Sequence, residues 1–229
     1  MEQSGIEVNG RRIAYLDRLT GQDSHDGRTV VFIHGNSSSA KTWLPVIADD
    51  FGRRFRCLAP DLPGHGRSAP ATDEADYALP GYAAVLEGFV KGLGIRDAVV
   101  VGWSLGGQIA REAAPGLPDA RGFVILGAPP IASLAQMAEA FLPNPAMGAL
   151  FKLEVSESEA RLAAEGFAAP NSSLDIDEFV SDILATDGAA RTGLGSSAGA
   201  GRFKDEIAIE VPQQFAALLT EFVADLSQE

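Results

Sequence analysis

The sequence predicts an α/β fold on a mostly parallel, doubly wound sheet, with a helical cap inserted late in the chain. Three observations predict it. Short apolar, β-branched runs alternate with segments of helical spacing through the first 130 residues. Each run ends in turn residues, chiefly Gly and Pro, where a strand can hand over to a helix. Residues 131–192 then lose the β-branched runs and keep only helical spacing.

Taken in order, residues 5–8 and 12–15 form an edge hairpin. Thr29-Val30-Val31-Phe32-Ile33 is a short apolar, β-branched run, the signature of a strand buried on both faces. A helix is expected over 41–50, and a strand over 55–60 leads into Asp61-Leu62-Pro63-Gly64-His65-Gly66-Arg67-Ser68. Leu86, Phe89, Val90 and Leu93 keep helical spacing between Pro80 and Gly94, with Pro near the start and Gly at the end. Residues 98–101 are a third inner strand and 122–126 a fourth. Because strands and helices alternate, the crossovers are right-handed and the inner strands parallel.

The organisation expected is a core over 1–130, a helical cap over 131–192, and a last part over 193–229. That last part holds a Gly-rich linker over 193–201 that should not be helical, room for one short strand at 207–211, and a closing helix. The closing helix carries an apolar stripe of Phe215, Leu218, Leu219, Phe222, Val223 and Leu226. The sheet is thus expected to stop short of its last one or two strands. Residues 123–126 would then be an apolar edge, open to self-association.

The chain has 229 residues, 46% of them hydrophobic, enough for one sizeable core. Its 31 acidic against 18 basic residues give a formal charge of −13, which repels phosphate backbones and anionic membrane surfaces. Nucleic acid and membrane are therefore excluded as expected partners. The one cysteine, Cys57, lies in an apolar stretch and reads as a small buried hydrophobe, so no intrachain disulfide is possible. The polar first residues do not resemble a signal peptide, and no apolar run approaches the roughly 20 residues that cross a bilayer. A cytoplasmic location is the expectation. No metal cluster, dinucleotide fingerprint or phosphate loop occurs, so no cofactor and no metal are expected.

Gly102-Trp103-Ser104-Leu105-Gly106 is a G-x-S-x-G string. Its setting makes it specific, because it follows a β-branched strand directly and opens a helix. Flanking glycines permit a sharp strand-to-helix bend that presents the Ser104 hydroxyl at the carboxyl edge of the sheet. The helix start then offers the free amide of Leu105 to a developing oxyanion. The structural alternative is a serine that merely caps the helix. His34-Gly35-Asn36 ends the first inner strand at the same edge, and the Asn36 amide is the natural second donor.

Residues 31–39, 61–68 and 101–107, in this order, resemble the α/β-hydrolase superfamily; residues 210–222 are similar to its closing helix. The resemblance implies Ser104 as nucleophile, Asn36 and Leu105 as the oxyanion hole, residues 131–192 as the cap, and Trp103, His34 and His65 near the pocket. Serine at this position is similar to the esterase, thioesterase and lactonase branch, which implies a small apolar ester-like substrate. Cap residues Met137, Phe141, Met147, Phe151 and Phe167 fit an apolar substrate, and fit ordinary core packing as well.

One part of the pattern is missing. In that superfamily an acid and then a histidine follow the serine, and a serine hydroxyl needs such a base to take its proton. The three histidines are His25, His34 and His65, all before Ser104. Both the triad acid and the triad base are therefore unassigned. Asp182, Asp187, Asp205 and Glu206 read as solvated surface charge. Loss of the base costs on the order of 10⁴–10⁶ in turnover. Three readings stay open: an impaired serine hydrolase, an inactive relative that binds a ligand or partner, and an internally shortened version of an active hydrolase.

Overall fold

Asn9 and Gly10 both sit at positive φ (53° and 74°), forming a two-residue turn that joins β1 (Glu2–Val8) to β2 (Arg11–Arg18) as an antiparallel hairpin. The computed structural model describes residues 2–18, 28–129, 145–168, 175–196 and 219–223. Four further strands follow: β3 (Thr29–Ile33), β4 (Arg56–Pro60), β5 (Val99–Trp103) and β6 (Gly122–Leu126). They order as β1-β2-β4-β3-β5-β6. β3 pairs in parallel with β4 and β5, and β5 with β6, while β2 runs antiparallel to β4.

The alternation of side chains along β3 and β5 divides the core in two. Val31, Ile33 and Val100 pack with Tyr82, Leu86 and Phe89 of α3 (Leu79–Gly92) and Ile109 and Ala113 of α4 (Leu105–Ala113). Val30, Phe32, Val99 and Val101 pack on the other face, with Trp43, Val46 and Ile47 near α1 (Leu44–Ile47) and Phe51 of α2 (Asp50–Arg54). All five residues of β3 are buried, as expected of a strand covered on both faces. Cys57 is buried in the second cluster, and burial pushes its thiol up to about 12.

Several expectations need correcting. The helix expected over 41–50 is a 3-10 turn (Ala40–Trp43) followed by the short α1 and α2, the chain breaking between them at 48–49. The segment expected as the cap is helical where it is described, with a 3-10 stretch at Pro145–Phe151, α5 (Glu157–Phe167), α6 (Ile176–Ala185) and α7 (Gly188–Ser196). α7 runs through residues 193–196, the first part of the expected non-helical linker. Gly193 explains this, because a Cβ there would lie 2.7 Å from the Cβ of Tyr77. Tertiary packing overrides the poor helix propensity of glycine. The remainder of the linker and the possible strand at 207–211 lie outside the described residues.

The described turn of the closing helix buries Leu219 and Val223 in the cluster that holds Val124 and Leu126, and the Arg28 guanidinium donates to the Val223 carbonyl. Phe222 is exposed, contrary to expectation, because the buried strip is the i, i+4 pair and Phe222 lies beside it. Phe215, Leu218 and Leu226 lie outside the described residues. β6 is the last strand in the order among the described residues, and Phe123, Val124 and Ile125 are partly buried. Among the described residues no helix is long and apolar enough to cross a membrane.

Candidate active site

β5 ends at Trp103 and α4 begins at Leu105, so the whole change of direction falls on Ser104. Its backbone is left-handed, at φ 53° and ψ −116°, a conformation an L-residue holds only under strain. The flanking glycines make the bend possible. A Cβ on Gly102 would lie 2.3 Å from the Gly106 carbonyl oxygen, and one on Gly106 would lie 2.2 Å from that of Ile33. The Ser104 amide donates to the Leu126 carbonyl (2.8 Å), and the Ser104 carbonyl accepts from the amides of Gly107 (3.0 Å) and Gln108 (3.2 Å). Its side chain makes no capping hydrogen bond, which removes the helix-cap alternative. The residue is half-buried.

The loop after β3 lies directly against this bend. A Cβ on Gly35 would come within 2.9 Å of the Trp103 ring and 3.3 Å of the Ser104 Cβ. Among the described residues neither the Asn36 nor the Leu105 amide donates to a backbone carbonyl. The loop is tied down from both sides. Asp61 accepts from the amides of Ala40 (2.8 Å) and Arg67 (3.0 Å) on the core side. On the cap side, the Asn36 amide nitrogen Nδ2 donates to the Leu150 carbonyl (2.8 Å), and the Ser39 hydroxyl donates to Asp182 (2.6 Å).

His34 and His65 are only 0% and 1% exposed, with ring centroids 5.2 Å apart. His34 Nε2 accepts from the Leu62 amide (2.9 Å), which places its proton on Nδ1, bonded to the Gly35 carbonyl (2.8 Å). His65 Nδ1 bonds the Pro63 carbonyl (3.0 Å). Burial pushes His34 down to about 4; burial, aided by His34, pushes His65 down to about 3. Both are thus buried and neutral, and each braces its own loop. His25 lies outside the described residues.

Trp103 is partly buried under the cap. Phe167 of α5 meets it edge-on at 5.6 Å between ring centroids, and Phe179 of α6 at 6.5 Å. Met147 packs in the same cap cluster, whereas Phe151 is 46% exposed. Met137 and Phe141 lie outside the described residues.

Of the two acids expected on the surface, Asp182 is buried and Asp187 is half-buried. Asp182 is buried between Ser39 and Lys41, and burial raises its carboxyl above the usual range. Asp187 accepts from the Tyr77 hydroxyl (2.5 Å) and from the Ala189 amide at the start of α7 (3.0 Å). Only Asp182 carried a signal in the sequence: it lies three residues after Phe179 and one before Ile183, on the apolar face of α6. Asp205 and Glu206 lie outside the described residues. Among the described residues no group of three or more His, Cys, Asp or Glu side chains could hold a metal.

A mixed sheet in this order, with a serine on a strained strand-to-helix bend facing the loop of the neighbouring strand, defines an α/β-hydrolase architecture. The chain belongs to the alpha/beta hydrolase fold family, whose sequence model matches residues 28–156. It is 33% identical over 109 residues to Protein ABHD14A of Rattus norvegicus, covering 47% of this chain and 44% of that one. It is 34% identical over 113 residues to the dihydrolipoyllysine-residue acetyltransferase component of the acetoin cleaving system of Cupriavidus necator, covering 49% of this chain and 28% of the relative. The chain spans less than half the length of these curated relatives. Among solved structures, a variant of the N-acyl homoserine lactonase AidH complexed with N-hexanoyl homoserine lactone superposes with a TM-score of 0.87 at 27% identity, covering 100% of this chain and 99% of that one. A structure of a putative aryl esterase from Burkholderia cenocepacia, 16% identical with a TM-score of 0.81, shares the fold.

Proposed function

We propose that the chain is a serine hydrolase of small apolar ester-type substrates (a carboxylester, thioester or lactone), working through Ser104 at a low rate. The observation that carries the reading is the uncapped Ser104 on its left-handed bend, beside two amides without backbone partners among the described residues. Ser104 Oγ attacks the carbonyl carbon, and the negative charge moves to the carbonyl oxygen, held by the amides of Asn36 and Leu105. The alkoxide or thiolate then leaves and takes up a proton, giving an acyl-enzyme. Water attacks that ester, Ser104 regains its proton, and the acid is released. Trp103, Phe167 and Phe179 supply an apolar wall suited to an acyl chain. The likeness to a lactonase supports an ester or lactone.

The rate is low in this reading because the described histidines brace their loops, His34 through both ring nitrogens and His65 through Nδ1. The Ser104 proton must pass to solvent, which costs on the order of 10⁴–10⁶ in turnover relative to a complete triad. The same enclosure favours a second reading, in which the pocket binds an acyl ligand without turning it over.

A fluorophosphonate probe and a short-chain nitrophenyl ester separate the two. Slow labelling and slow hydrolysis that both vanish in Ser104→Ala support the hydrolase. Equal hydrolysis by wild type and variant, with ligand binding intact, supports the binding protein. Rapid stoichiometric labelling with strong turnover would overturn the absence of a base.

A further inference from the structure

We infer that Asp182 is a positioning residue: from cap helix α6 it latches the 35–41 loop so that the Asn36 amide faces Ser104. The inference rests on the reading of Ser104 and Asn36 above and extends it to the cap.

The geometry is specific. The Asp182 carboxylate accepts from the Ser39 hydroxyl at 2.6 Å and lies 3.5 Å from Lys41 Nζ. Both partners belong to the loop and the 3-10 turn that follows it, not to the cap. Ser39 is itself the residue that starts that turn, its hydroxyl oxygen accepting from the Lys41 amide (3.4 Å). The Asn36 side chain adds a second tie to the cap, at the Leu150 carbonyl. On the opposite side Asp61 holds the Ala40 amide. Asn36 therefore lies on a short segment clamped between two buried carboxylates, one in the core and one in the cap.

A buried carboxylate is expensive to keep charged, and an apolar residue on this face of α6 would pack at lower cost. Phe179, Val180 and Ile183 show what the face otherwise carries. What Asp182 supplies that they cannot is a directional, charge-assisted acceptor for the loop. Two ties from the cap, at Leu150 and Asp182, thereby hold the loop with its donor amide toward the serine.

The test measures amide hydrogen exchange over residues 36–42, together with kcat and KM on a short-chain nitrophenyl ester. The proteins are wild type, Asp182→Ala, Asp182→Asn, Ser39→Ala, Lys41→Met and Ser104→Ala. Asp182→Ala should speed exchange in the loop about tenfold and lower kcat by a similar factor with KM within about twofold, the scale of one lost charge-assisted hydrogen bond. Ser39→Ala breaks the same bond from the loop side and should match it, which covers the case in which Asp182→Ala fails to fold. Asp182→Asn can still accept from Ser39, without the charge, and should recover part of both losses. Lys41 is half-exposed and lies farther from the carboxylate than Ser39 does, so Lys41→Met should cost less than Asp182→Ala in both readouts. Loop exchange unchanged in Asp182→Ala and Ser39→Ala, or Asp182→Asn no better than Asp182→Ala, overturns the latch. If wild type and Ser104→Ala hydrolyse the ester alike, the reading of Ser104 has failed, and loop exchange alone decides whether Asp182 holds the loop.

Discussion

The Ser104 amide donates to the Leu126 carbonyl over 2.8 Å, tying the bend after β5 to the last residue of β6. That bond, and the two that the Ser104 carbonyl accepts, hold a residue at φ 53° whose backbone would otherwise relax. The strain belongs to the folded state and is not relieved by removing the hydroxyl.

It follows that Ser104→Gly should be more stable than Ser104→Ala. Glycine reaches positive φ freely, and the relief outweighs its greater freedom in the unfolded chain. The expected difference is about 1 kcal/mol in urea unfolding. Equal stabilities would mean that the bend carries no strain.

Gly106→Ala tests the second requirement of the bend. The added methyl carbon would lie 2.2 Å from the Ile33 carbonyl oxygen, and that atom belongs to a fully buried strand with nowhere to move. A loss of about 3 kcal/mol, or failure to accumulate folded protein, is expected. Gly148→Ala, where a Cβ would meet nothing within 4 Å, is the control and should lose far less.

How much of this was legible follows from where the partners lie in the chain. β3 and β5 could be read because a strand buried on both faces must be apolar at every position, and the Gly102–Gly106 pattern because its contacts are local. The ties of the cap could not. Asp182 meets Ser39 across 143 residues, and Asp187 meets Tyr77 across 110, so neither acid reveals its partner in its own neighbourhood. The helix through 193–196 was hidden for the same reason, since Gly193 lies close against Tyr77, a residue distant in the chain. His34 was legible as a support for its loop, but not its bond to Leu62.

The two buried histidines set a pH dependence with a definite sign. Their folded values, about 4 and about 3, lie below the ordinary histidine value. Above about pH 6.5 they are neutral in both states and their contribution is complete. As pH falls below that, the unfolded chain takes up protons that the folded chain refuses, and stability is lost progressively toward the folded values. Asp61 and Asp182, raised by burial, act in the opposite direction from the ordinary carboxylate value upward. Urea unfolding at pH 7.5 and 5.5 should therefore differ by about 2 kcal/mol, less stable in acid. In His65→Gln the difference should shrink by roughly half. A pH-independent midpoint over this range would show that the rings are not buried neutral.

Arg191 tests how the cap holds itself together. Its buried guanidinium donates to four carbonyls: Nε to Lys152 (2.8 Å), Nη1 to Ile183 (2.9 Å) and Thr186 (2.7 Å), and Nη2 to Leu153 (2.9 Å). These come from two segments, the end of the 3-10 stretch after Phe151 and the end of α6, so one side chain on α7 joins three pieces of the cap. The planar fork is what allows this, and an ammonium cannot reach four divergent acceptors. Arg191→Lys should therefore fail to substitute, and Arg191→Met should leave buried carbonyls without donors at a cost of about 3 kcal/mol. The loss should be local. Amide exchange and limited proteolysis should rise across 150–196, while strands β3 to β5, whose core clusters do not include Arg191, keep their protection. If the lysine variant protects the cap as well as arginine does, the fork geometry is not what binds these segments together.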